Sequence, residues 1–237
     1  MQKNNIREST HECMRKATSQ SKQAILRIHQ KKFEEAKNLI SDAKSLIAEL
    51  QAQAKQYPEI IYGGMLSAAY QEYAEANILL VLVKEERFIT PSEIGTPSVD
   101  YVLGLADVIG EYRRLALDYL RESEVEKGEK CLQTMDDIFV QLLALDEAYM
   151  LVPGLRHKSD GARRTIEATR GDITLEVRRK SLEDYLKKFN PANEEGKPKK
   201  GKAKKWFAQT KQEISRLKKP TIHRFAYPKM SSTKTCN

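Results

Sequence analysis

The sequence predicts an all-α protein, an antiparallel multi-helix bundle, from three observations. Apolar and small residues recur at steps of three and four along most of the chain, the period of one helix face. Lys, Glu, Ala and Leu dominate, while 11 glycines and 8 prolines among 237 residues leave few breaks between stripes. Those breaks fall between the stripes, at Pro58, Pro91 to Pro97 and Pro153-Gly154. The organising stretch is Ile60 to Leu82, whose stripe of Tyr62, Leu66, Ala69, Tyr73, Ala76 and Leu80, continued at Val83, marks a helix buried in a bundle.

In chain order, Arg7 to Ile28 reads as a first helix, weak in apolar content before Ala24, Ile25 and Ile28. A second follows with Phe33, Ala36, Leu39, Ile40, Ala43, Leu46, Ile47 and Leu50. The junction carries Arg27, His29, Lys31 and Lys32, a cluster suited either to capping a helix C-terminus or to contacting phosphate. Pro58 suits the first turn of the organising helix. After the loop Thr90 to Ser98, Ser98 is the expected N-cap of a helix running to about Arg121. Its apolar positions are Tyr101, Leu105, Val108, Tyr112, Leu115 and Tyr119. The next helix begins near Glu124, is softened at Gly128, and carries Leu132, Met135, Phe139, Leu142 and Leu143. Asp136 falls on its apolar side and is expected to be buried with a structural partner. Beyond Pro153-Gly154 a last helix runs through Ile166, Ile173, Val177, Leu182 and Leu186. It bears Arg156, Lys158, Arg163, Arg164 and Arg170, the most basic surface of the body and candidate nucleic-acid contacts, although acids interleave as on a solvated face.

Four carboxylates carry the chemistry. Glu72 and Glu75 stand one turn apart, with only Ala68, Ala69 and Ala76 as helical neighbours of Glu72. Like charges at that spacing repel unless a cation or an opposite charge sits between them. Asp107 and Glu111 repeat the arrangement at i and i+4, with Gly104 a turn earlier leaving room for another backbone or a ligand. Two such helices would clamp a hard cation by oxygen alone, as Mg²⁺ or Mn²⁺ prefer. The alternative is four solvated surface acids.

The net charge of +8 is not a property of the whole. Residues 191–237 hold 13 basic and 3 acidic residues, whereas 1–190 hold 28 basic and 30 acidic. The expected division is therefore a helical domain over 1–190 and a basic linker and tail over 191–237. The tail has helical spacing at Ala203, Trp206, Phe207, Thr210, Ile214 and Leu217. The longest apolar run, Ile78 to Val83, is too short to span a bilayer, and Met1 to Asn5 offer no secretory core. Cys13, Cys131 and Cys236 lie far apart, and the four histidines form no ligand pair, so disulfide and zinc frameworks are not expected. The expected setting is reducing and cytoplasmic.

Residues from about 7 to 189 resemble the translin family. The likeness is carried by Gln71-Glu72-Tyr73-Ala74-Glu75-Ala76, by Asp100 to Asp107 with Gly110-Glu111, and by Leu155 to Asp172. The acids bring it closer to translin-associated factor X than to translin. The resemblance implies a helical subunit of closed oligomers, commonly octamers, that enclose single-stranded RNA or DNA. It also implies that Glu72, Glu75, Asp107 and Glu111 hold Mg²⁺ for endoribonuclease chemistry, and it leaves open a second translin-type subunit as a partner. Two other functions fit the same residues: a non-catalytic nucleic-acid-binding oligomer, and a helical scaffold whose basic tail binds nucleic acid.

Overall fold

The computed structural model describes residues 2–56, 65–145 and 151–188, and every regular element in them is an α-helix. They are α1 (Gln2–His29), α2 (Phe33–Gln56), α3 (Met65–Glu85), the single turn α4 (Pro91–Ile94), α5 (Ser98–Arg121), α6 (Val125–Ala144) and α7 (Leu155–Lys188). The chain groups into two compact units, Met1–Tyr185 and Leu186–Asn237. Pro58, Tyr62 and the whole 191–237 tail lie outside the described residues.

α1 buries a longer stripe than its apolar content foretells. Thr10, Cys13, Met14, Ala17, Ser21, Ala24, Ile25 and Ile28 are all buried, and the small residues among them let α2 and α3 approach closely. α2 answers with Ala36, Ile40, Ala43, Ile47 and Leu50 and runs antiparallel, as Thr10 meets Gln53 near one end and Arg27 meets Glu35 at the other. The turn between them places Lys31 at φ 60°, in the left-handed region.

α3 is the centre of the bundle. Ala69, Tyr70, Tyr73, Ala74, Ala76 and the run Ile78 to Leu82 are buried around its circumference, and α1, α2, α4 and α5 all contact it. A helix apolar on all sides needs such a shell. α5 lies parallel to α3, because the hydroxyl of Ser67 donates to Asp100 at one end while Val83 shares a cavity with Leu115 and Tyr119 at the other. Residues 86–97 make the return that this parallel pairing requires. A capping box between Thr90 and Glu93 and the left-handed Gly95 (φ 69°) turn the chain there. The N-cap of α5 is Pro97 and not Ser98, and it makes no side-chain cap. The α4 turn ends with the Thr96 amide on Pro91, so Pro97, its φ fixed by the ring, delivers Ser98 already helical.

α6 is continuous through Gly128, contrary to the expected softening. Gly128 is buried against Leu120 of α5, and a Cβ there would stand 3.1 Å from that side chain, so the position is set by close packing. Asp136 has the structural partner expected of it, both hydrogen bonds from Arg170 Nη2 at 2.9 and 3.0 Å, but its burial is corrected, since the side chain is 35 % exposed. With Lys180 on Glu126, this contact runs α7 antiparallel to α6. Arg113 fastens α7 to α5 through Thr169 at 2.8 Å and Asp172 at 3.0 Å.

Candidate functional site

The site is built where α3 and α5 come closest. At Gly104 a Cβ would lie 2.6 Å from the Gln71 carbonyl oxygen and 3.1 Å from the Glu75 amide, so only glycine admits this contact. The room foreseen beside the acids is therefore taken by the α3 backbone. Asp107 follows Gly104 by three residues and Glu111 by seven, so both rise along the same side of α5, next to Glu72 and Glu75. Because the two helices are parallel and in this register, the two acid pairs meet.

Glu75 is the inner member. It is 8 % exposed, and among the described residues its carboxyl has neither a hydrogen bond nor an ion pair. Burial, and after it the nearby charges of Asp107, Glu72 and Glu111, push its pKa up to about 8, against a small opposing effect of Lys158. At neutral pH it holds its proton. The other three acids each have a basic partner on a different helix. Lys22 of α1 lies 3.2 Å from Glu72, the His29 Nε2 lies 2.5 Å from Glu111, and Lys158 of α7 donates to Asp107. A second polar node ties the helices lower down, with Gln71 donating to Ser67 and Ser67 to the buried Asp100, whose pKa burial raises.

The basic residues read from the sequence divide into two groups. His29 and Lys158 belong to the acidic site itself; the His29 side chain is 4 % exposed, and its Nδ1 is buried without a partner. Arg27 is engaged by Glu35 and Gln30, Arg170 by Asp136 and Glu167, and Arg163 lies over the Phe139 ring at 5.7 Å. Arg156 and Arg164 are exposed and form no ion pair among the described residues, and Lys31 is exposed at the α1–α2 turn. Lys22 went unread in the sequence. The signal was its place seven residues before His29, two turns along the same face of α1.

Among the described residues no three His, Cys, Asp or Glu side chains stand ready-arranged around a metal position. The donor set nevertheless fits a hard divalent cation in kind: four carboxylates, one of them buried without a partner, and no sulfur or second imidazole. Glu72, Asp107 and Glu111 would have to turn from their basic partners to serve it.

Fold and site together define a helical-bundle protein with paired acids on two parallel central helices. The chain belongs to the translin family, whose sequence pattern matches residues 5–169 and so includes all four acids. An uncharacterised protein of Methanocaldococcus jannaschii is 30 % identical over 188 residues, covering 78 % of this chain and 83 % of its own. Among solved structures, AfC3PO in a duplex RNA complex is 30 % identical with a TM-score of 0.66, over 74 % of this chain and 91 % of that one. AfC3PO by itself gives 30 % and 0.67, over 74 % and 92 %. Apo-NeC3PO, at 22 % identity and a TM-score of 0.65 over 74 % and 93 %, shares the fold. No helix among the described residues is long and apolar enough to cross a membrane.

Proposed function

We propose that this protein binds single-stranded RNA and cleaves it as a Mg²⁺-dependent endoribonuclease. Glu72, Glu75, Asp107 and Glu111 are the metal-holding and catalytic acids, and Mn²⁺ suits the same oxygens. One observation carries the reading: a largely buried Glu75, its carboxyl without hydrogen bond or ion pair among the described residues, beside three further acids. A bundle core has no structural use for such a group, which costs stability once ionised. Perturbed carboxyls of this kind gather at functional sites.

The chemistry that a bound Mg²⁺ supplies is polarisation of a phosphoryl oxygen and activation of water. The chain's own part is to hold the acids. Gly104 sets the spacing of α3 and α5, and His29 fixes the Glu111 carboxylate by taking its Oε2. Glu75 must give up its proton to bind a cation. Arg156 and Arg164, with Lys31, offer phosphate contacts that are indifferent to sequence, so single-stranded DNA is a further ligand. The relative AfC3PO, held with duplex RNA, supports RNA as the ligand class. The motifs Gln71 to Ala76 and Ala106 to Glu111 favour the X-type subunit over translin. Exposed Leu175 and Leu182, seven residues apart on α7, support packing into a closed homo-oligomer of the octameric kind or with a second translin-type subunit. Buried free Cys13 and Cys131 suit a reducing, cytoplasmic setting.

A non-catalytic binding protein is the second reading, favoured by the basic partners that Glu72, Asp107 and Glu111 already have. Labelled single-stranded RNA incubated with Mg²⁺ separates the two. Cleavage is expected to stop with chelator and in Glu75→Ala and Asp107→Ala, with helical content retained. Cleavage by both variants at the wild-type rate would remove these acids from the reaction.

A further inference from the structure

The closest basic partners of three of the acids differ in how firmly they are held, with Arg114 farther off at 4.0 Å from Glu111. His29 is enclosed, with a 4 % exposed side chain clamped at 2.5 Å to Glu111, so it cannot leave without opening the α1–α5 contact. Lys22 is 62 % exposed at 3.2 Å from Glu72, so water already screens it. Lys158 lies between these extremes. Its side chain is 26 % exposed, its ammonium donates to Asp107, and its charge also reaches the buried Glu75 carboxyl. It comes from the first turn of α7, not from either helix that carries the acids, and sits on a flexible four-carbon stem.

An ammonium hydrogen-bonded to Asp107 and a divalent cation held by Glu75 and Asp107 would occupy overlapping space with like charge. The two like charges repel at close range, so they compete for the Asp107 carboxylate. Resting on the metal-dependent reading above, we infer that Lys158 is a built-in counter-ion of the acidic site that a divalent cation displaces from Asp107. The freed ammonium then takes a non-bridging oxygen of the RNA phosphate. Lys158 thereby balances the acids when no cation is bound and touches substrate when one is. Its exchange involves no covalent step, only a change of partner from carboxylate to phosphate. Arg156 and Arg164 on the same helix are exposed and form no ion pair among the described residues.

The test uses the full-length protein without RNA and reads Mn²⁺ affinity by calorimetry for wild type, Lys158→Met and Lys158→Arg. Lys158→Met is expected to bind Mn²⁺ roughly tenfold more tightly, the effect of one close competing charge. Lys158→Arg, which keeps the charge, stays within about twofold of wild type. At saturating Mn²⁺, Lys158→Met is expected to cleave single-stranded RNA about a hundredfold more slowly. Tighter metal with slower cleavage is a combination that a residue merely pinning α7 to α5 cannot produce. Unchanged or weaker Mn²⁺ binding in Lys158→Met, with wild type binding normally, overturns the inference and leaves the nuclease reading standing. Absence of Mn²⁺ binding in wild type overturns both. Should Lys158→Met fail to fold, reductive methylation of wild type, mapped by peptide mass, decides the matter. Lys158 is expected to react several-fold faster with Mg²⁺ present, and an unchanged or slower reaction refutes displacement.

Discussion

Replacing Glu75 with glutamine tests the electrostatics of the site without any assumption about catalysis. The native carboxyl titrates near pH 8 against an ordinary 4.5, so the folded protein keeps a proton that the unfolded chain releases. Between these two values the native state binds more protons than the unfolded state, and stability must fall as pH rises. The favourable contribution is complete below pH 4.5, declines through the window, and is gone above about pH 8. At about 1.36 kcal/mol per pH unit, the shift corresponds to roughly 5 kcal/mol across the full range. Glutamine has nearly the same shape and cannot ionise, so its variant lacks this slope, at a constant cost of about 1–3 kcal/mol if its amide finds no partner. The measurement is urea unfolding of both proteins from pH 5 to pH 9, in chelator and at one protein concentration. Distant titrating groups are common to both proteins and cancel in the difference, which then reports Glu75 together with the neighbouring acids that it interacts with. The wild type should be the more stable at pH 5 and the variant at pH 9. A stability difference independent of pH would mean that Glu75 is an ordinary solvated acid, and the case for a cation site would lose its main support.

Three further outcomes are expected, two from the geometry and one from the charge of the tail. Gly104→Ala places a methyl group against the Gln71 carbonyl, so α5 must shift; a loss of about 1–3 kcal/mol in urea unfolding and weaker Mn²⁺ binding are expected. Wild-type stability in that variant would refute the close approach. Arg156→Ala and Arg164→Ala should each weaken RNA binding for all sequences alike and lower the slope of log affinity against log salt by about one, measured by fluorescence anisotropy. Removing 191–237, with its 13 basic residues, should weaken RNA affinity and flatten its salt dependence while metal-dependent cleavage persists at high enzyme concentration. An unaltered salt slope would exclude the tail from RNA capture.

The helices and the acid pairs they carry were legible in the sequence because each is a local property. The stripes of α2, α3, α5 and α6 stand in the spacing of their own residues. The pairs Glu72/Glu75 and Asp107/Glu111 are visible as one-turn repeats, and Gly104 is visible as a place without a side chain. Periodicity reports which face of one helix is apolar; it carries no record of which helix lies opposite or in what direction it runs. Tertiary structure alone decided that α3 and α5 are parallel, that Gly104 receives the Gln71 backbone, and that the two acid pairs therefore meet. It alone decided that Lys22, His29 and Lys158, separated by up to 136 positions in the chain, converge on three of the acids and leave the fourth buried without a partner. The same limit explains Asp136, which lies on the apolar side of its own helix yet is 35 % exposed and pairs with Arg170 of α7. Charge pairing between distant segments depends on how the bundle closes, and closure is a sum over packing contacts that no single stretch of sequence contains.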